Sequence, residues 1–193
     1  MDDRNAKDKI IETSIRMIEQ QDYNKITTNH IAKKAGVSIG TLYYHFEKGK
    51  PDIIKEIVRR GYAEFLDETN LKNLTLKQLP NFLTSFLARY LEQHRQNESF
   101  LIAAEAAFLS NRKLFNDFEY IQNELKLVPL ISGVLKQLGY PEKENLNEVS
   151  KFLLFLIDSI IHRHIIYEGI FFNDEDLIHF LAEFILAFIK DAM

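Results

Sequence analysis

The chain has 193 residues, 46% of them hydrophobic and 27% charged, a balance that excludes collagen-like, fibrous and wholly disordered classes. It contains no cysteine, which removes disulfide frameworks, thiol catalysis and thiolate metal sites. The net charge is −4, yet residues 1–60 carry twelve Lys/Arg against nine Asp/Glu, so a weakly basic head precedes an acidic body. Seven glycines and four prolines among many Leu, Ile, Phe, Glu and Lys predict an all-α chain, because β-rich folds need turn residues more often. The segment Met1-Asp2-Asp3-Arg4-Asn5 has no apolar stretch behind it, so neither a signal nor a transit peptide is expected. The most apolar run, Phe152 to Ile161, carries Asp158 and is too short to span a bilayer. A soluble cytoplasmic protein without a membrane partner is expected.

About nine helices are predicted. The first spans about Ala6 to Gln20, with Ile10, Ile11, Ile15 or Ser14, Met17 and Ile18 at three-to-four spacing on one face. After a turn at Asp22 to Lys25, Thr27 is a candidate N-cap for a short helix from Thr28 to Ala35 that buries Ile31, Ala32 and Ala35, and Gly36 stops it. Val37 returns to the core, and Ser38 caps a helix over about 39–46. Two short helices joined by a tight glycine turn form a helix-turn-helix. Glu47-Lys48-Gly49-Lys50 make the next turn, after which Pro51 and Asp52 open a helix over about 51–68. Further helices are expected over Leu76–His94, Glu98–Leu109, Arg112–Leu138 with a kink at Pro129, Asn147–Glu168 and Asp174–Asp191. No repeat and no Ser/Gly/Pro-rich linker is visible, so the domains, 1–49 and 50–193, join through the helix over 51–68.

The segment from Thr27 to Phe46 carries the functional signal. On a helix beginning after Ser38, Leu42 and Phe46 lie four apart and point inward, which leaves Ile39, Gly40, Thr41, Tyr43, Tyr44 and His45 largely outside. Gly40 costs roughly 1 kcal/mol of helix propensity relative to Ala, which makes sense where another surface approaches the backbone closely. Tyrosine, threonine and histidine side chains can hydrogen-bond phosphate oxygens while flat rings rest on sugars or thymine methyls. Small, polar and aromatic together fit a DNA groove. Packing of Tyr43 and Tyr44 on the first helix is the competing structural reading, and it leaves Gly40 unexplained.

The pattern Ala35-Gly36-Val37-Ser38-x-Gly40-Thr41-Leu42-Tyr43-x-His45-Phe46 resembles the tetracycline-repressor (TetR) family of bacterial transcriptional regulators. The resemblance covers about Lys7 to Ile57 and is architectural beyond that. It implies an N-terminal three-helix helix-turn-helix domain joined to a larger helical domain that dimerises and usually binds a small molecule. Carried over position by position, Thr28 resembles a phosphate contact and Asn29 a base or backbone contact. Ile39, Gly40 and Tyr44 resemble groove-facing positions, and Ser38, Thr41, Tyr43 and His45 backbone-clamping ones. The family places two residues between the aromatic and its phosphate-binding lysine, whereas three stand here, so either Lys48 or Lys50 could fill that role. DNA shape and apolar contact are expected to carry much of the specificity.

One helix-turn-helix makes too few contacts for genome-scale selection, and a two-fold dimer on a palindromic operator is the usual solution. The helices over about 147–168 and 174–191 are apolar on more than one face, so one face is expected to fill the core and the other to pair with a second copy. Aromatics concentrate between head and dimer helices, and Phe86, Tyr90, Phe108, Phe115 and Phe118, with Glu105 in an apolar stretch, are candidates for lining an effector pocket. Ordinary core packing competes with that reading. Asp158 and His162 stand four apart and, with His94 or His179, could compose a metal or acid–base site, but no further ligand or nucleophile motif supports one. Structural ion pairing is the expected role, with no metal, no cofactor and no enzymatic activity. A homodimeric repressor released by a small, lipophilic effector is therefore expected. The alternatives are a regulator without such an effector, or a helical ligand-binding protein whose head no longer reads DNA.

Overall fold

The computed structural model describes residues 3–67, 74–110, 127–141, 145–167 and 173–191. These form nine α-helices and no strand: α1 Asp3–Gln20, α2 Thr28–Ala35, α3 Ile39–His45, α4 Lys50–Asp67, α5 Leu79–Gln96, α6 Glu98–Ser110, α7 Leu127–Gln137, α8 Leu146–Ile166 and α9 Asp174–Asp191. By compactness the chain divides into two units, Met1–Leu66 with Ser99–Ile121, and Asp67–Glu98 with Gln122–Met193.

The first unit is built around one apolar core. α1 contributes Ile10, Ile11, Met17 and Ile18, α2 Ile31 and Ala32, α3 Leu42, α4 Ile53, Ile54 and Ile57, and α6 the small Ala103, Ala104 and Ala107. Phe46, just past α3, completes it at 2% exposure. On α1 it is Ser14, not Ile15, that is fully buried; its hydroxyl donates to the Ile10 carbonyl at 2.7 Å, which satisfies the polar group inside the core. Ile15 packs half-buried at the core margin. Around the rim, Glu56 on α4 takes Lys7 Nζ at 3.1 Å, Arg59 Nε at 2.9 Å and Arg60 Nε at 3.2 Å, and Arg60 also reaches Asp8 at 2.7 Å. Burial works to raise the Glu56 pKa, and the hydrogen bonds from Arg59, Lys7 and Arg60 outweigh it, holding the carboxyl at about 2.

In the second unit α5 packs on α8 and α9, and α7 on α8. Leu83, Leu87 and Leu91 repeat every fourth residue along α5, and Leu177, Leu181, Ile185 and Ile189 do the same along α9, so each helix presents one continuous stripe to the interior. Polar groups inside are paired: Ser150 donates to the Leu146 carbonyl at 2.6 Å and meets Ser132 at 2.8 Å. Asp174 binds His164 Nε2 at 2.8 Å and also pairs with Arg95. Pro129, expected to kink a helix over Arg112–Leu138, stands in α7, described over Leu127–Gln137. The part of that expected helix before Leu127 lies outside the described residues, and the expected kink with it. None of the described helices is long and apolar enough to cross a membrane.

Candidate nucleic-acid interface

Local chemistry sets the two short helices. Thr27, extended at φ −115° and ψ 156°, accepts the His30 N–H with its side chain, and α2 ends at Gly36, which is left-handed at φ 67°. Gly36 and Val37 return their N–H groups to Lys33 O and Ala32 O, closing the last turn. Val37 packs half-buried against the core. Ser38 then caps α3, accepting the Thr41 N–H at 2.9 Å, while its hydroxyl meets that of Thr41 at 2.8 Å.

With Leu42 fully buried beneath it, α3 turns Ile39, Gly40, Tyr43 and Tyr44 to water, while Thr41 and His45 are half-buried. Ile39 is 40% exposed, Tyr43 46% and Tyr44 75%, so neither tyrosine is packed away on α1. Gly40 lies between them in open space: a Cβ built there would meet only Ser38 Oγ, at 3.6 Å. The fold therefore does not demand glycine at position 40. Tyr44 meets the half-buried His45 ring edge-on, with centroids 5.1 Å apart.

Beside this ridge the start of α2 comes forward. The Thr28 and Tyr43 hydroxyls lie 3.2 Å apart, and Asn29 next to Thr28 is exposed. Behind them sits Gly49, at φ 71°, where an added Cβ would stand 3.0 Å from Thr28 Cγ2 and 3.5 Å from the Tyr43 ring. Gly49 is thus what lets the three-residue turn after Phe46 close against the two hydroxyl residues. Its significance was missed from sequence, though a glycine in a turn one residue longer than the family pattern was the available signal. Asp52 accepts the Lys48 N–H at 2.7 Å and starts α4.

The two lysines differ. Lys48 is exposed. Lys50 donates from Nζ to the Tyr23 carbonyl at 3.0 Å and lies 4.1 Å from the Tyr23 ring centroid. Burial lowers the Lys50 pKa, with the Asp22 charge opposing, and burial raises that of the Tyr23 hydroxyl.

The pocket candidates fall in different places. Phe86 and Tyr90 belong to the second unit, stacked along α5 with Phe82 at centroid spacings of 5.7 and 6.2 Å. Glu105, half-buried, and Phe108, packed on the head core, are on α6 of the first unit. Phe115 and Phe118 lie outside the described residues.

Two short helices joined through a left-handed glycine, both packed on α1, make the N-terminal head a helix-turn-helix. Residues 10–57 match the model of the family described as bacterial regulatory proteins, tetR family. It is 32% identical over 103 residues to the probable HTH-type transcriptional regulator YttP of Bacillus subtilis, covering 50% of this chain and 48% of that protein. It is 28% identical over 100 residues to the biofilm operon icaADBC HTH-type negative transcriptional regulator IcaR of Staphylococcus epidermidis, covering 48% of this chain and 54% of the relative. The chain thus spans about half the length of the curated relatives it matches. The crystal structure of the transcriptional regulator FadR from Bacillus subtilis in complex with stearoyl-CoA superposes with a TM-score of 0.69 at 18% identity, over 93% of this chain and 97% of that one. At that identity the likeness speaks for the all-helical fold.

Proposed function

We propose that the chain is a cytoplasmic, homodimeric DNA-binding repressor that holds a palindromic operator and is released by a small lipophilic ligand. The observation that carries this reading is the exposed face of α3, where Ile39, a glycine the fold does not need, and Tyr44 stand over a buried Leu42. A bare backbone flanked by an aliphatic and an aromatic group suits close approach to base edges and thymine methyls. Thr28, Asn29, Ser38, Thr41, Tyr43, His45 and Lys48 would hold the flanking phosphates. The name of the negative regulator IcaR supports repression, and the stearoyl-CoA complex of FadR supports a lipophilic effector.

Pairing of two chains would occur through α8 and α9. Phe152 and Phe155 on α8, and Phe180 and Phe184 on α9, are 41–57% exposed although each helix already buries an apolar stripe. Four phenylalanines left on the outer faces of two neighbouring elements call for a partner of the same kind. A dimer places two recognition helices about one DNA turn, roughly 34 Å, apart. The effector, held among aromatics such as Phe86 and Tyr90, would weaken DNA binding by as much as it prefers the non-binding arrangement.

The deciding experiment is titration of the full chain with its own upstream DNA and with a shuffled duplex, across salt concentration. A selective complex with two or four chains per palindrome is expected. Equal, weak binding to both duplexes at every salt concentration would refute the reading.

A further inference from the structure

We propose that His94, Asp158 and His162 form a binding site for a divalent transition-metal ion of the zinc type, built between α5 and α8. One ligand atom from each side chain lies within 4.8 Å of the others. His162 Nε2 and Asp158 Oδ1 are 3.3 Å apart. A tetrahedral ion with bonds of about 2.1 Å has ligand–ligand edges of about 3.4 Å, so this edge already has the required length. Asp158 and His162 stand one helical turn apart on α8, hence on one face. His94 comes from α5, its ring centroid 5.1 Å from that of His162. His179, the other candidate partner from sequence, is exposed on α9 and does not join them.

The surroundings prepare these groups for coordination. His94 Nδ1 lies 2.8 Å from the Tyr90 carbonyl oxygen. A carbonyl only accepts, so Nδ1 carries the hydrogen and the Nε2 lone pair is left for an ion. The hydroxyl of the same Tyr90 donates to Asp158 Oδ1 at 2.6 Å, which orients the carboxylate. One residue therefore steadies two of the three ligands, the arrangement expected of groups that support a metal from behind. The Asp158 and His162 side chains are each 14% exposed, so bulk water competes little.

Two imidazoles and one carboxylate select Zn²⁺, Co²⁺ or Ni²⁺ over Mg²⁺ and Ca²⁺, which prefer all-oxygen shells. Three protein ligands leave a fourth position for water or for an anionic group of a bound molecule. Such an ion would tie α5 to α8 whether or not the head reads DNA.

The test uses the full chain, stripped with a chelator and titrated with Zn²⁺ alone. One Zn²⁺ per chain is expected by calorimetry, Co²⁺ should give the visible bands of a four- or five-coordinate ion, and Mg²⁺ should give no heat. With ¹⁵N-labelled histidine rings, His94 and His162 shift on Zn²⁺ addition and the other four of the six histidines do not. His162→Asn and His94→Asn each weaken Zn²⁺ binding by on the order of 100-fold, and Tyr90→Phe by about 10-fold. No stoichiometric Zn²⁺ or Co²⁺ binding, or shifts at His30, His45, His164 or His179 instead, would overturn the proposal. The labelled unmodified chain gives the answer even if a variant fails to fold.

Discussion

Lys50 is clasped by Tyr23: its ammonium donates to the Tyr23 carbonyl at 3.0 Å and lies over the same residue's ring, 4.1 Å from the centroid. Lys50, one of the two candidates for the family's phosphate-binding lysine, thus braces the start of α4 against the 3₁₀ turn Tyr23–Lys25, while the other, the exposed Lys48, stands two residues earlier. Lys50→Met should lower head stability by about 1 kcal/mol, read from the thermal midpoint. Lys48→Ala should leave that midpoint unchanged and reduce the salt slope of DNA binding by about one unit. A stable Lys50→Met variant with the lowered slope would assign the phosphate contact to Lys50.

Gly40 and Gly49 should respond to alanine in opposite senses. Gly49→Ala forces a side chain into φ 71° and brings its Cβ to 3.0 Å from Thr28 Cγ2, so denaturant unfolding should show a loss of about 1–2 kcal/mol. Gly40→Ala meets no such obstacle and improves helix propensity, so stability should rise by up to about 1 kcal/mol. Operator affinity of the Gly40→Ala chain should nevertheless fall. A variant both more stable and equally tight on DNA would remove Gly40 from the interface.

Glu56 sets the acid limit of the head. Its folded pKa, about 2, lies below the ordinary 4.5, so its contribution is complete above 4.5 and is lost as pH falls from there towards 2. The charges facing it are Lys7, Arg59 and Arg60, with Asp8 on the far side of Arg60. Glu56→Gln should cost about 1 kcal/mol at neutral pH and flatten the stability curve across that acid window. Parallel curves for the two proteins would show that the cluster contributes no pH dependence.

Phe180 and Phe184 are 57% and 41% exposed, so polar replacements should not disturb the unit that carries them. Phe180→Asp combined with Phe184→Asp should shift sedimentation from dimer to monomer with helical content unchanged, and operator binding should weaken with it. Persistence of the dimer would move the interface away from this face of α9.

The local features of the head were legible from sequence because they are local. Thr27, Ser38 and Gly36 act within one helical turn of themselves, and the residues alone specified the caps, the stop and the limits of α2. Leu42 and Phe46 followed from helical spacing. What stayed hidden depends on partners distant in the chain. Lys50 turns inward because Tyr23, 27 residues away, offers a carbonyl and a ring. His94, rather than His179, meets Asp158 and His162 because of how α5 lies against α8, which no spacing rule contains.

Ala103, Ala104 and Ala107 of α6 close the same core that α1 to α4 begin. The head is therefore discontinuous in the chain, and its last structural piece leaves the ribosome well after its first. Until α6 emerges, the core that its alanines share with Ile53, Ile54 and their neighbours is incomplete, so the nascent helix-turn-helix is an unfinished object during synthesis. Completion of this unit, rather than appearance of α3, marks the moment at which the core beneath α3 is closed.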